Sequence, residues 1–322
     1  MNRFLQFTVA AAVALLMLAA PQTGAAEDEK WVLVTGASTG IGRNLAETLA
    51  GNGYHVYAGA RSDEDIAALN GIDNIKAVRL DVTKPDEIAA VVEKIRKSGT
   101  GLYGLVNNAG IGGGGKVLET PVANQTFVYG VNVEGVYRTT KAFGPLVAEQ
   151  KGRIVTTGSI AGTMSWAEGN AYSGSKHWIE AFTDALAAEM EPAGVHVAVV
   201  EPGNFKSHIR RSAVSRAFAQ VEAAGGEITD EMQQFYEATV QRELSYKEPD
   251  EVSAAFMHAL FDEEPLRRYV VTPNEEEHVA TIRTKLTELV QLNQWGPYSH
   301  SRDELVEMLD DVLSGGATES VE

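Results

Sequence analysis

Tyr172 and Lys176 stand four residues apart in a stretch of helical periodicity, so they share one face. A phenol with a pKa of ~10 is a poor base at neutral pH, and an ammonium beside it lowers that value by roughly 1–3 units. Such a pair can pass a proton to or from a substrate oxygen. Taken alone, the spacing reads more readily as a tyrosine packed on a lysine stem. A second segment able to do chemistry lies far upstream: Thr35-Gly36-Ala37-Ser38-Thr39-Gly40-Ile41-Gly42. Its glycines let the backbone approach a pyrophosphate, and a helix starting there supplies free N–H donors and positive potential. The spacing is G-x-x-x-G-x-G, not G-x-G-x-x-G, so by itself it serves equally as a turn between strand and helix.

The elements that must position these residues follow from the hydrophobic pattern. Short β-branched runs at 31–35, 55–60, 75–80, 102–106, 153–157, 195–200 and 268–272 alternate with helical stretches at 41–50, 85–97, 126–147 and 172–190. This alternation predicts an α/β fold, a doubly wound, Rossmann-like parallel sheet of about seven strands in a single domain. Polar or glycine-containing segments follow the strands in turn: Arg61; Asp81-Val82; Asn107-Asn108-Ala109-Gly110; Gly158-Ser159; Glu201-Pro202-Gly203. In an open parallel sheet these carboxyl ends form one edge, where ligands bind. At the end of the second strand an acidic residue would bond free ribose hydroxyls, whereas Arg61 accommodates a 2′-phosphate and points to NADP, with NAD as the alternative. An ordinary surface arginine stays open there, because Thr39 puts no second basic group in the glycine loop.

Together, Thr35-Gly36-x-x-x-Gly40-Ile41-Gly42, Asp81, Asn107-Asn108-Ala109-Gly110, Asn132, Ser159, Tyr172-x-x-x-Lys176 and Pro202-Gly203 resemble the short-chain dehydrogenase/reductase family, in order, over most of 31–260. The resemblance implies that Tyr172 is the general acid/base, Lys176 a ribose ligand that tunes it, Ser159 a donor to the substrate oxygen, and Asn132 the holder of a relay water. It implies too that Gly36, Ser38, Thr39, Gly40, Ile41 and Gly42 line the pyrophosphate, that Asp81 and Val82 meet the adenine, and that Asn107, Asn108, Pro202 and Gly203 border the nicotinamide side. The reaction so implied interconverts an alcohol and a ketone or aldehyde, in a homo-oligomer. An NADP-binding regulator without turnover, and an epimerase or dehydratase using the cofactor transiently, are the competing readings.

After Val200 the alternation breaks, and 205–247 forms a long insertion with helical stretches, followed by a helix at 249–260. The insertion, Ile111-Gly112-Gly113 and Met164-Ser165-Trp166 are expected to bound an apolar substrate cleft, with Trp166 equally readable as a core residue. Residues 273–322 read as an acidic helical extension, opened by Glu275-Glu276-Glu277 and disordered from Ser314. A net charge of −17 excludes a nucleic-acid partner, and the absence of cysteine excludes disulfides, thiol nucleophiles and Cys-ligated zinc. The seven histidines show no metal-ligand spacing, so no metal is expected. Gly110 to Lys116 fits the start of a GxxxxGK loop, but Val117 stands where Ser or Thr would hold magnesium.

Residues 1–26 carry Arg3, an apolar run over 4–20 and the small residues Gly24, Ala25 and Ala26, a pattern of a signal peptide or, uncleaved, of an anchor contacting the membrane through 4–20. The catalytic domain then begins at 27 and runs to 272. Export, anchoring, and a cytoplasmic product started at Met17 are the three outcomes this leaves.

Overall fold

The computed structural model describes residues 29–315, so the leader at 1–26 and the end beyond Gly315 lie outside the described residues. Seven strands run β1 (Trp31–Val34), β2 (His55–Ala60), β3 (Ile75–Arg79), β4 (Gly104–Asn107), β5 (Arg153–Thr157), β6 (His196–Pro202) and β7 (Arg268–Val271). They form one sheet in the order β3-β2-β1-β4-β5-β6-β7, every pairing parallel. The chain winds outward from β1 to β3 and then from β4 to β7, so the strand order reverses between β1 and β4. Helices from the two halves diverge there, leaving a crevice above the strand ends.

Period-two alternation divides the strand side chains between two cores. Val32 and Val34 face one side with Leu45, Leu49, Val56, Val106, Phe256 and Leu260, under α1 (Gly40–Gly51) and α9 (Asp250–Phe261). Leu33, Leu105, Ile154 and Val197 face the other, packed beneath α3 (Pro85–Ser98), α5 (Glu134–Glu149) and α6 (Asn170–Met190). With both faces covered, the strands read as nearly continuous apolar runs, which is why they are legible in the sequence.

Two features differ from the sequence reading. The single helix expected at 126–147 is two, α4 (Val122–Asn132) and α5, separated at Val133 with φ −109° and ψ −68°. The side chain of Asn132 turns inward at this break, and Gly135 lies so close to Val82 that an added Cβ would sit 2.6 Å from its Cγ2. A short helix, α2 (Asp63–Asn70), follows β2, capped by Ser62, whose hydroxyl accepts from the Asp65 N–H. The insertion forms two helices, α7 (Ile209–Ala223) and α8 (Asp230–Leu244). Beyond β7 come α10 (Glu275–Leu292) and α11 (Arg302–Leu313), the latter opened by a capping box of Ser301 and Glu304. Among the described residues no helix is long and apolar enough to cross a membrane, and no group of three or more His, Cys, Asp or Glu is placed to hold a metal.

Candidate active site

Thr35, directly after β1, organises the floor of the crevice. Its hydroxyl donates to Val106 O and accepts from the N–H groups of Asn108 and Ala109, at 2.9 and 3.0 Å. Asn108 returns the link: its Nδ2 donates to Thr35 O and Gly36 O, and its Oδ1 accepts from Thr157 Oγ1 at 3.2 Å. Three neighbouring strand ends are thereby cross-braced. The glycine loop lies on this brace, and its glycines are required: Gly36 and Gly40 have φ of +64° and +57°, while a Cβ on Gly42 would meet Asn108 Nδ2 at 2.3 Å.

The first turn of α1 carries neither an acidic side chain nor a side-chain cap, so its N–H groups face the crevice unclaimed by side chains. That is the donor set a pyrophosphate requires, and the residues present fit a dinucleotide. Gly36, Ser38, Thr39, Gly40, Ile41, Gly42, Arg61, Asp81, Val82 and Asn108 line one cleft together with Ser159, Tyr172, Lys176, Pro202 and Gly203.

At the β2 end, Arg79 donates to Arg61 O and to the Asp63 carboxylate, which fixes the Arg61 backbone while its side chain stays exposed. At the β3 end, Asp81 Oδ1 accepts from Thr83 N at 2.9 Å and Thr83 Oγ1 at 2.7 Å. Burial pushes this carboxyl up, but the Thr83 hydrogen bonds and the charges of Arg61 and Lys84 outweigh it and hold Asp81 below its ordinary value.

Ser159, after β5, accepts from Ala161 N at 3.1 Å. Tyr172 and Lys176 project from the first two turns of α6. The ammonium of Lys176 is buried and donates to Thr157 O at 2.7 Å, with its Nζ 5.7 Å from the centroid of the Tyr172 ring. Burial lowers the Lys176 pKa to about 8, against the opposing charge of Glu180. For Tyr172 the balance differs from the sequence expectation of a lowered phenol: burial raises it, and the Ser159 hydroxyl and the Arg210 guanidinium pull it back only in part. Arg210 is itself held by Asn204, whose Oδ1 accepts from Arg210 Nη2 at 2.6 Å.

Two residues expected at the ligand lie outside the cleft lining. Asn107 is buried and spans from β4 to α5: its Nδ2 donates to Thr140 Oγ1 at 2.9 Å and its Oδ1 accepts from Thr139 Oγ1 at 2.6 Å. Asn132 is buried as well; its Oδ1 accepts from Ile111 N and its Nδ2 donates to Ile111 O and Ser175 Oγ. Its side chain clamps the loop after β4, and both of its polar atoms are spoken for.

Met164, Ser165 and Trp166 are also absent from the cleft wall; the Trp166 indole lies over Gly169, half-exposed. The wall is instead supplied by Phe127 and Val131 of α4 and by Phe205, Ser207, His208, Ile209, Ser212 and Arg216 of the insertion, a mixture of apolar and polar groups. Nothing in the spacing of the insertion singles these residues out; only its density of arginine hints at them.

The family model for short chain dehydrogenase matches residues 30–217. The chain belongs to the short-chain dehydrogenases. It is thus an oxidoreductase working between alcohol and carbonyl with a nicotinamide cofactor. This short-chain dehydrogenase is 34% identical over 264 residues to the mitochondrial D-beta-hydroxybutyrate dehydrogenase of Bos taurus, an alignment spanning 74% of this chain and 76% of that one. It is 39% identical over 186 residues to retinol dehydrogenase 16 of Rattus norvegicus, where it spans only 58% of the relative's length. Among solved structures, a short chain dehydrogenase/reductase from Burkholderia phymatum in complex with NAD superposes with a TM-score of 0.69 at 25% identity, over 85% of this chain and 98% of that one.

Proposed function

We propose that this chain is an NADP(H)-dependent oxidoreductase interconverting an alcohol and a ketone or aldehyde, with Tyr172, Ser159 and Lys176 as its catalytic residues. The observation that carries this reading is the meeting of those three side chains with the glycine loop in one cleft. The nicotinamide, when bound, supplies or accepts the hydride. In the reduction direction the Tyr172 phenol and Ser159 hydroxyl donate to the carbonyl oxygen as it gains negative charge, and Tyr172 gives up its proton. Lys176, charged near neutral pH with a pKa of about 8, and Arg210 stabilise the phenolate left behind. Pro202 and Gly203 close the nicotinamide side.

Arg61, with Ala60 where an acidic residue would serve the ribose, supports NADP(H) over NAD(H). The two relatives named above set the ends of a substrate panel: a short oxo acid and a long apolar aldehyde. Purified protein is expected to consume NADPH with some member of that panel, and NADH less well. Tyr172→Phe should lower turnover ~10²–10⁴-fold with NADPH affinity nearly unchanged. Product without net NADPH consumption would instead indicate an epimerase or dehydratase, and binding without turnover a regulator. We also hold 1–26 to be a leader, 27–272 the catalytic domain and 273–322 an extension; amino-terminal sequencing after fractionation tests this, a mature start near Glu27 marking export and a start at Met17 defeating the leader.

A further inference from the structure

Beside the main cleft, a second cavity opens between the end of β2 and helices α7 and α8. Its polar walls are Arg61, Arg211, Ser212, Ser215, Arg216 and Tyr236. Three guanidiniums converge here although the chain carries a net charge of −17. One is already balanced: Arg211 Nε meets Glu243 Oε2 at 2.7 Å, and Glu243, buried in α8, also accepts from the Arg210 N–H at 2.8 Å. Among the described residues the other two have no ion-pair partner. Arg216, on α7, donates from Nη2 to Gly112 O at 2.6 Å, and its guanidinium stands 5.9 Å from the ring centroid of Phe127 on α4. Arg61 faces it from β2. Burial and the charge of Arg61 together lower the Arg216 pKa, the mark of two cations in mutual range without an anion between them.

We infer that this cavity takes a phosphomonoester, and that Arg216 joins Arg61 in holding the 2′-phosphate of the cofactor's adenosine ribose. The inference rests on the NADP(H) reading and deepens it. The second basic group absent from the glycine loop comes from a distant element, the insertion. Paired guanidiniums with the Ser212 and Ser215 hydroxyls form the fork-and-donor arrangement that phosphate oxygens favour. Because one arginine sits on the dinucleotide half and the other on α7, a phosphate held by both ties α7 to the cleft.

The test compares 2′,5′-ADP with 5′-AMP, which lacks only the 2′-phosphate, by calorimetry on the whole chain. Wild type should bind 2′,5′-ADP at least about tenfold more tightly, and Arg216→Ala should lose about tenfold for 2′,5′-ADP with 5′-AMP affinity unchanged. Tryptic cleavage of wild-type protein after Arg210, Arg211 and Arg216 should slow with 2′,5′-ADP more than with 5′-AMP or inorganic phosphate, which keeps the test open should the variant misfold. Equal binding of the two nucleotides by wild type overturns the NADP(H) reading and this inference with it. A wild-type preference erased by Arg61→Ala but untouched by Arg216→Ala, or equal losses for both nucleotides in Arg216→Ala, overturns this inference alone. Identical tryptic protection by all three ligands removes the tie to α7.

Discussion

Asn107 and Asn108 are adjacent and chemically identical, yet the fold gives them opposite tasks. Strand alternation sends Asn107 down into the α5 face, where Thr139 and Thr140 meet it, while Asn108 lies at the crevice and braces Thr35, Gly36 and Thr157. Asn107→Ala should therefore destabilise the fold by ~1–3 kcal/mol, since it removes a buried double hydrogen bond, and leave NADPH affinity within about twofold. Thermal melts and fluorescence titration check the pair; a tenfold loss of affinity at unchanged melting temperature would return Asn107 to the ligand. Glu201 offers a second contrast. It lies within β6, paired to Val270 of β7 and 2% exposed, and burial, reinforced by the Glu180 carboxylate, raises its pKa to about 7. A carboxyl raised in the folded state binds more protons there than in the unfolded chain between pH 4.5 and 7, so its contribution is complete below that window and lost as pH rises through it. Glu201→Gln, which keeps a neutral side chain at all pH, should melt like wild type near pH 4.5 and higher than wild type at pH 8, by on the order of 2–3 kcal/mol. A gap that does not grow with pH would contradict this.

At the level of elements, the sheet was readable because both its faces are covered. Apolar runs such as those of β2 and β5 have no polar face to interrupt them, and the bounds of those two strands coincide with the sequence reading. Helix α2 escaped notice because it spans 8 residues and buries only Leu69; its signal was local, Ser62 followed by Asp63, Glu64 and Asp65 in the first turn. The break at Val133 was illegible for a different reason. It coincides with the tertiary grip of Asn132 on Ile111 and Ser175, and the flanking Gly130 and Gly135 are isolated glycines of a kind that a helical pattern tolerates. The same division holds in the cleft. Residues at strand ends, from Gly36 to Pro202, follow from the topology of a parallel sheet, whereas His208, Ser212 and Arg216 arrive on a helix whose placement depends on Glu243 in α8, outside any local pattern.

For the molecule as a whole, the extension beyond β7 is joined to the chemistry. Glu277, in the first turn of α10, accepts from Asn204 N at 3.0 Å, and a Cβ on Gly203 would meet its Oε2 at 2.5 Å. The loop after β6 is thus held from above by a helix outside the sheet. Glu277→Ala should raise KM for the cofactor roughly three- to tenfold with the fold intact, the size expected for one partly exposed charge-assisted hydrogen bond; circular dichroism and steady-state kinetics read the two parts, and an unchanged KM would make the contact incidental. A further consequence lies in the placement of the insertion over the glycine loop, where a Cβ on Gly40 would stand 3.3 Å from Ser207 Cα. The same polypeptide that walls the substrate also roofs the pyrophosphate seat, so the dinucleotide must arrive before the chamber is complete and can depart only once it has been vacated. Traffic through the enzyme is then expected to be single-file, with oxidised dinucleotide competing against reduced dinucleotide alone in product-inhibition plots and its departure setting the pace of turnover; competition of the alcohol product with reduced dinucleotide would show that either partner can enter first.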